Sequence, residues 1–349
     1  MPSRRRRQRS QILDLLEQYE PELARAFRES VDSLRDGVDM AGLEASLARG
    51  DFAAVIRALR LDTAAFLPLQ TQIAANYTGA GTSAAASISR LRNPITGDRL
   101  FVRFDLRNPR AEEWLRRHSS ARITEIVADQ REAVRVIVEA GTRLGDGPRR
   151  TALDIVGRIN RATQRREGGA LGLTSGQSQW VANARSELAS GDPAALRNYL
   201  TRERRDKRFD RAVQRAILEG KPVPADTVRR ATERYSDQLL RLRGETVART
   251  EALSGLNAAR DEAMRQAVDS GELQSGAVTK VWSATGDGRT RDSHAAMDGQ
   301  TVGLNEAFIS PSGARLMYPT DSSLGAPAEE VIACRCFWEQ RVDFAAGLT

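Results

Sequence analysis

From Ala225 to Val268 the apolar residues return every three or four positions, and no proline breaks the run. Val228, Ala231, Tyr235, Leu239 and Leu242 make one seam, and Val247, Leu253, Leu256, Met264 and Ala267 continue it less regularly. That period puts them on one face of a helix, which over this stretch would be about 65 Å long. Gly244 and Gly255 weaken such a helix by about 1 kcal/mol each, too little to end it. So long a helix cannot cover its own seam. It needs other helices, or a neighbouring subunit, along its side. The chain is therefore expected to be mainly α.

The rest of the chain carries shorter signals of the same kind. Ile12, Leu15, Leu16, Tyr19, Leu23, Phe27, Val31 and Leu34 form a helical stripe over 10–37. Pro21 interrupts it and is expected to kink the helix or start a second segment, since a proline inside a helix costs about 3 kcal/mol. Residues 63–89 carry no charge and read as a buried helix followed by a Gly/Ser/Ala loop. No run is long and apolar enough to predict a membrane span, and no secretory leader is expected. In "RLFVRFDLR", Leu100, Val102, Phe104 and Leu106 alternate as in a strand. Asn108 and Pro109 then start a helix, with further helices expected over 121–144, 149–163 and 175–190. Thr174 and Gln177 are spaced as a capping box for the last of these.

Composition shifts at Gly271, after which turns alternate with short apolar runs and strands are expected near "KVWSA", "RLMYP" and "CFWEQRVDF". The expected organisation is an elongated helical N-terminal region with a long helix, followed by a small α+β domain. By residue this gives a helical region over 1–92, a helical region with one or two strands over 93–222, the long helix over 223–270, and the α+β domain over 271–349.

The net charge is +7, and all but three of the 53 basic residues are arginine. Arginine presents a planar donor fork suited to phosphate and carboxylate. Two clusters are candidates for non-specific contact with double-stranded DNA. The first is Arg4, Arg5, Arg6, Arg7 and Arg9; the second lies in "TRERRDKRFDR" and holds Arg202, Arg204, Arg205, Lys207 and Arg208. Glu203, Asp206 and Asp210 dilute the second, so a solvated run of paired charges is the competing reading. No motif for reading bases is present.

The chain has two cysteines, Cys334 and Cys336, and two histidines, of which His294 lies forty residues upstream of Cys334. Two cysteines in so long a chain imply no disulfide framework, and a bridge within Cys-x-Cys would be strained. His294, Cys334 and Cys336 supply three of the four N/S ligands that structural zinc prefers, with Asp287, Asp292, Asp298 or water as the fourth. The simpler reading is packing. Cysteine is commonly buried as a small hydrophobe, and residues two apart on a strand share a face. Nucleophilic or redox catalysis needs a base within hydrogen-bond reach, which spacing alone does not establish.

Several motifs follow in order: "ETVARTEAL", "KVWSATGDGRTRDSHAAMDGQTV", "AFISPSG", "LMYPTD" and "ACRC". The series resembles the phage Mu protein F-like family of minor head, or head morphogenesis, proteins. The matching residues include Arg249 and Glu251 of the Ala-Arg-Thr-Glu helix, Trp282, and then Asp287, Arg289, Arg291 and His294. Asp298 with Gly299, Tyr318 with Pro319, and Cys334-Arg335-Cys336 complete it. Thr320 stands where the family usually has glycine, which could alter a turn. Ala333 stands where asparagine commonly precedes the first cysteine, which removes a side-chain hydrogen bond. The specific match covers about 245–345; a looser likeness to the helical N-terminal part of phage minor capsid proteins extends upstream.

The resemblance implies a virion component of a tailed phage, made in the host cytoplasm and placed in the head interior or at the portal vertex. Its implied partners are portal or major capsid protein and packaged DNA, with no catalytic residue. Two rival readings stand beside it. One is a metal-dependent hydrolase or toxin-like enzyme using the His/Cys domain; no effector module is expected beyond Cys-Arg-Cys here. The other is an assembly factor that leaves before maturation.

Overall fold

The computed structural model describes residues 4–94 and 96–345, with the backbone alone for residues 4–7. The helices in the first half are α1 (Arg4–Asp36), α2 (Met40–Ala48), α3 (Phe52–Leu59), α4 (Leu67–Ile88), α5 (Pro109–Arg143) and α6 (Pro148–Val156). A two-stranded hairpin, β1 (Arg158–Ile159) and β2 (Arg166–Glu167), precedes α7 (Ser175–Ser190), α8 (Pro193–Leu200), α9 (Asp210–Glu219) and α10 (Ala225–Asp269). Then come β3 (Val278–Ser283), α11 (Asp292–Ala296), β4 (Thr301–Gly303), β5 (Phe308–Ile309), β6 (Arg315–Leu316), α12 (Ala328–Val331) and β7 (Phe337–Val342). The chain is mainly α with a small α+β portion at its C-terminal end. The long helix forms over 225–269, and the capping box of Thr174 and Gln177 is present at the start of α7.

The chain divides into two compact units, neither of them one continuous stretch. Among the described residues, those of 4–26, 69–120 and 245–345 form the first. Its centre is an antiparallel sheet of order β4-β3-β7, laid against the second half of α10. Trp282 on β3 sits directly opposite Trp338 on β7, and both are fully buried. At roughly 25 cal/mol per Å2 and 150–250 Å2 per ring, each contributes about 4–6 kcal/mol of burial. Polar side chains of α10 fix the register of what packs on it. Trp338 Nε1 donates to the Asn257 carbonyl at 3.3 Å, and Asn257 Nδ2 donates to the Pro319 carbonyl at 3.1 Å. Arg260 lies over the Trp338 ring at 5.1 Å.

Residues 27–68 and 121–244 form the second unit. Its loop at Gly168–Leu173 is tied down by buried side chains. Arg35 donates to the carbonyls of Gly168 and Leu171 at 2.9 and 2.7 Å, and Gln130 accepts from the Gly172 N–H at 2.7 Å.

Four local expectations are corrected. The helix expected over 149–163 ends at Val156, where the chain turns into the β1–β2 hairpin. Helix α1 continues through Pro21, so no second segment starts there. Leu23, Phe27, Val31 and Leu34 beyond it are all buried, and their burial together outweighs the roughly 3 kcal/mol cost of one proline. The uncharged stretch does not end in a loop: α4 continues to Ile88. Its glycines are contact points, because a Cβ on Gly79 would strike the Tyr19 hydroxyl and one on Gly81 the Phe104 ring. Finally, residues 99–107 alternate in burial but form no strand, only an isolated bridge between Arg92 and Arg99. Side chains replace the ladder. Ser89 Oγ bonds both the N–H and the carbonyl of Val102, Glu272 accepts from the Phe101 N–H, and Gln266 bonds both backbone groups of Asp105.

Candidate metal centre

Short elements of the first unit bring the His/Cys group together. His294 lies on α11, and Cys334 and Cys336 lie on the segment that leaves α12 and enters β7. All three are buried, at 1–2% exposure. His294 Nδ1 is 3.4 Å from Cys334 Sγ and 3.4 Å from Cys336 Sγ. On the other side of the ring, Nε2 lies 2.8 Å from Glu330 Oε2, a close contact that is not aligned as a hydrogen bond. Glu330 is held in turn by Ser312 at 2.9 Å and Ser293 at 3.2 Å. The ring packs edge-on against Trp282, with centroids 5.2 Å apart. These three residues form a group able to hold a metal ion: one ligand atom from each, all within 4.8 Å of one another.

The two thiols are unequal. Its neighbour Cys334 holds Cys336 well below the ordinary thiol range, against its burial and with help from His294. Cys334 is pushed up by Cys336 beside it and by burial. The Cys336 N–H also points at Cys334 Sγ, at 3.4 Å. Among the acids expected as a fourth ligand, Asp287 is engaged by Arg335 and Asp298 accepts the Ala284 N–H at 2.9 Å. Asp292 is exposed on α11. Among the described residues none of the three joins the group.

The motif residues pack around this centre. Arg291 donates to the Ile332 carbonyl, just before the cysteines. The Arg289 N–H and the Thr290 hydroxyl bond the Asp287 carboxylate in a turn. Gly299, at φ +81°, donates its N–H to the Trp282 carbonyl. Tyr318 OH accepts from Trp114 Nε1 at 3.1 Å. On α10, Arg249 pairs with Glu20 at 3.2 Å, Thr250 Oγ1 accepts the Ala333 N–H at 3.0 Å, and Glu251 contacts His118 Nε2 at 2.6 Å. His118 stacks on Trp114 and Trp114 on Tyr77, each pair with centroids 4.4 Å apart.

Residues 207–339 match the family model described as phage Mu protein F like protein. This region is phage Mu protein F-like. The match takes in the motif residues from Arg249 to Cys336 and the whole His/Cys group. No curated protein and no solved structure matches the chain significantly. Within the Mu F-like region Thr320 and Ala333 share a conformation. Thr320 has φ +75° and Ala333 φ +53°, both left-handed.

The basic candidates are placed differently. The side chains of Arg4, Arg5, Arg6 and Arg7 lie outside the described residues, and Arg9 is exposed. Arg204 and Lys207 are exposed in the second unit. Three of their neighbours are in ion pairs: Arg202 with Glu187 at 2.7 Å, Arg205 with Asp210 at 2.9 Å and Arg208 with Asp206 at 2.5 Å. A cleft of about 460 Å3 beside them is lined by Arg158, Arg208, Arg229, Arg230 and Arg234, each paired with an acid.

Sequence reasoning missed Glu330, Lys280 and the partnership of His118 with Glu251. Glu330 lies in a four-residue helix with no periodicity to flag it. Lys280 had a signal, as one of three lysines, and it is fully buried.

Proposed function

We propose that this chain is a minor head protein of a tailed bacteriophage. In that role it acts in head morphogenesis beside portal or major capsid protein, with a structural rather than catalytic part. The match of residues 207–339 to the phage Mu protein F-like family carries the reading. Burial supports a non-catalytic role, since a nucleophile must be reached by substrate and His294, Cys334 and Cys336 are all enclosed. No helix among the described residues is long and apolar enough to cross a membrane. The net charge of +7 supports contact with packaged DNA through phosphates alone. That contact is assigned to Arg4, Arg5, Arg6, Arg7 and Arg9 together with Arg204 and Lys207. Arg202, Arg205 and Arg208 are largely neutralised by their acids and contribute less.

Quantitative mass spectrometry of purified virions and procapsids of the encoding phage tests the assignment. A few copies per virion are expected. Presence in procapsids with absence from virions would make the chain a transient assembly factor instead. Removal of residues 1–9 is expected to weaken DNA retention and flatten its salt dependence, each lost phosphate contact lowering the log–log slope by about 0.9. An unchanged slope would remove the N-terminal arginines from the assignment.

A further inference from the structure

We infer that the His294, Cys334 and Cys336 group is a structural zinc site, with His294 Nδ1 and the two sulfurs as protein ligands and Glu330 as the positioning residue behind the imidazole. The first argument is spacing. Bond lengths of about 2.0–2.1 Å to nitrogen and about 2.3 Å to sulfur put tetrahedral N and S ligands about 3.5 Å apart. Both Nδ1–Sγ distances are 3.4 Å. The second is ligand chemistry: thiolate with imidazole selects zinc over the hard cations.

The third argument is what surrounds the ligands. A zinc-bound imidazole commonly passes its other N–H to a carboxylate, which fixes the tautomer and turns the ring toward the metal. Glu330 stands 2.8 Å from Nε2, itself buried and held by two serine hydroxyls. The backbone N–H of Cys336 points at Cys334 Sγ at 3.4 Å, as it would to support a thiolate.

Packing of two small hydrophobes accounts for none of this. It gives no reason for both sulfurs to face one imidazole nitrogen, or for a buried carboxylate on the opposite nitrogen. Among the described residues no carboxylate joins the group, so the protein supplies three ligands there. The site closes the segment between α12 and β7 onto α11. It stands whether or not the chain assembles into heads.

The test uses the full chain, purified without chelator and measured for metal by plasma mass spectrometry. About one zinc per chain is expected, as is a fall in melting midpoint on chelation that zinc restores and magnesium does not. Cobalt added to the stripped protein is expected to give thiolate-to-metal charge transfer in the near ultraviolet. The double variant Cys334→Ser, Cys336→Ser is expected to lose that band. Glu330→Gln is expected to keep the band and bind zinc about 10–100-fold more weakly. Because the cysteine variants could fail to fold, the wild-type measurements decide by themselves. A wild-type chain that carries no zinc and gives no charge-transfer band overturns the site. So does a folded double variant that takes up the same metal. Unchanged affinity in Glu330→Gln overturns the role of Glu330.

Discussion

Thr250 Oγ1 on the long helix accepts the backbone N–H of Ala333, the residue before Cys334, at 3.0 Å. Two motifs eighty-three residues apart thus meet in one hydrogen bond. The same hydroxyl donates to the Thr246 carbonyl one turn back, so its proton is committed and its lone pair is left for Ala333. Thr250→Val keeps the shape and removes the acceptor, leaving a partly buried N–H unpaired at a cost of about 1–3 kcal/mol. The expected result is a lower melting midpoint and faster alkylation of Cys334 and Cys336 under native conditions. Thr250→Ser is expected to behave as wild type. Equal alkylation rates in Thr250→Val and wild type would show that the bond does not hold the cysteine segment.

Thr320 and Ala333 both fall where the backbone is left-handed. Ala333 has φ +53° and is exposed; Thr320 has φ +75° and is buried. An L side chain in that region costs about 1–2 kcal/mol, which glycine avoids and asparagine partly offsets. Ala333→Gly is therefore expected to raise stability by about 1 kcal/mol, since nothing packs on an exposed methyl. Thr320→Gly is expected to change in the same direction but less, because it gives up a buried side chain. Thermal melts of both single variants check the order. A loss of stability in Ala333→Gly would contradict the argument.

What was legible in the sequence follows from the range of each cause. The long helix, the capping box and the helix starting at Pro109 are set by residues three or four apart, and each forms where its spacing places it. Residues 99–107 do alternate between buried and exposed, as a strand would. Whether a ladder forms depends on a second strand, and the partners there are side chains of Ser89, Gln266 and Glu272. Pro21 and the glycines of α4 were misread for the same reason: propensity is local, while the burial of Leu23 and the fit of Tyr19 against Gly79 are not. The His/Cys group was legible as a set of residue types. Its convergence, and the presence of Glu330 behind the ring, come from α11, α12 and β7 meeting, which no spacing encodes.

Gly255 carries a prediction that helix propensity alone would get wrong. In a helix interior, glycine to alanine gains about 1 kcal/mol. Here the new Cβ would stand 2.4 Å from Asn76 Nδ2. That amide is buried and donates to the carbonyls of Glu251 and Ala252, both at 3.1 Å. Gly255→Ala must push it off both acceptors, at about 1–3 kcal/mol for stranded buried polar groups. The expected net effect is destabilisation. Pairing it with Asn76→Ala should make the glycine change neutral or favourable, because the obstacle is gone. Destabilisation of the same size in both backgrounds would place the cause elsewhere.

Lys280 gives the chain a stability contribution that grows with pH. Its side chain is fully buried, with Nζ donating to the Met317 carbonyl at 2.7 Å and lying 3.5 Å from Asp261. Asp261 is shared with Arg265 at 2.7 Å; Asp321 also acts on Nζ, and the Phe308 ring lies 5.7 Å away. Burial lowers the Lys280 pKa below its ordinary 10.5, the attraction of Asp261 opposing it and Arg265 adding to it. Below the folded pKa both folded and unfolded chains carry the proton, and the cost of the buried charge is fully present. As pH rises through the folded pKa the folded chain releases its proton first. The unfolded chain then binds more protons, and stability rises until it too titrates near 10.4. Lys280→Met removes this slope. At neutral pH it leaves the Met317 carbonyl without its donor, a loss of about 1–3 kcal/mol, while Asp261 keeps Arg265. The stability of wild type relative to Lys280→Met should therefore increase as pH rises toward the ordinary lysine pKa of 10.5. Tyr77, Tyr199 and Tyr318, whose burial raises their pKa, pull the other way at high pH but do so in both proteins. Parallel melting curves across that window would mean that Lys280 stays charged in the fold at every pH tested.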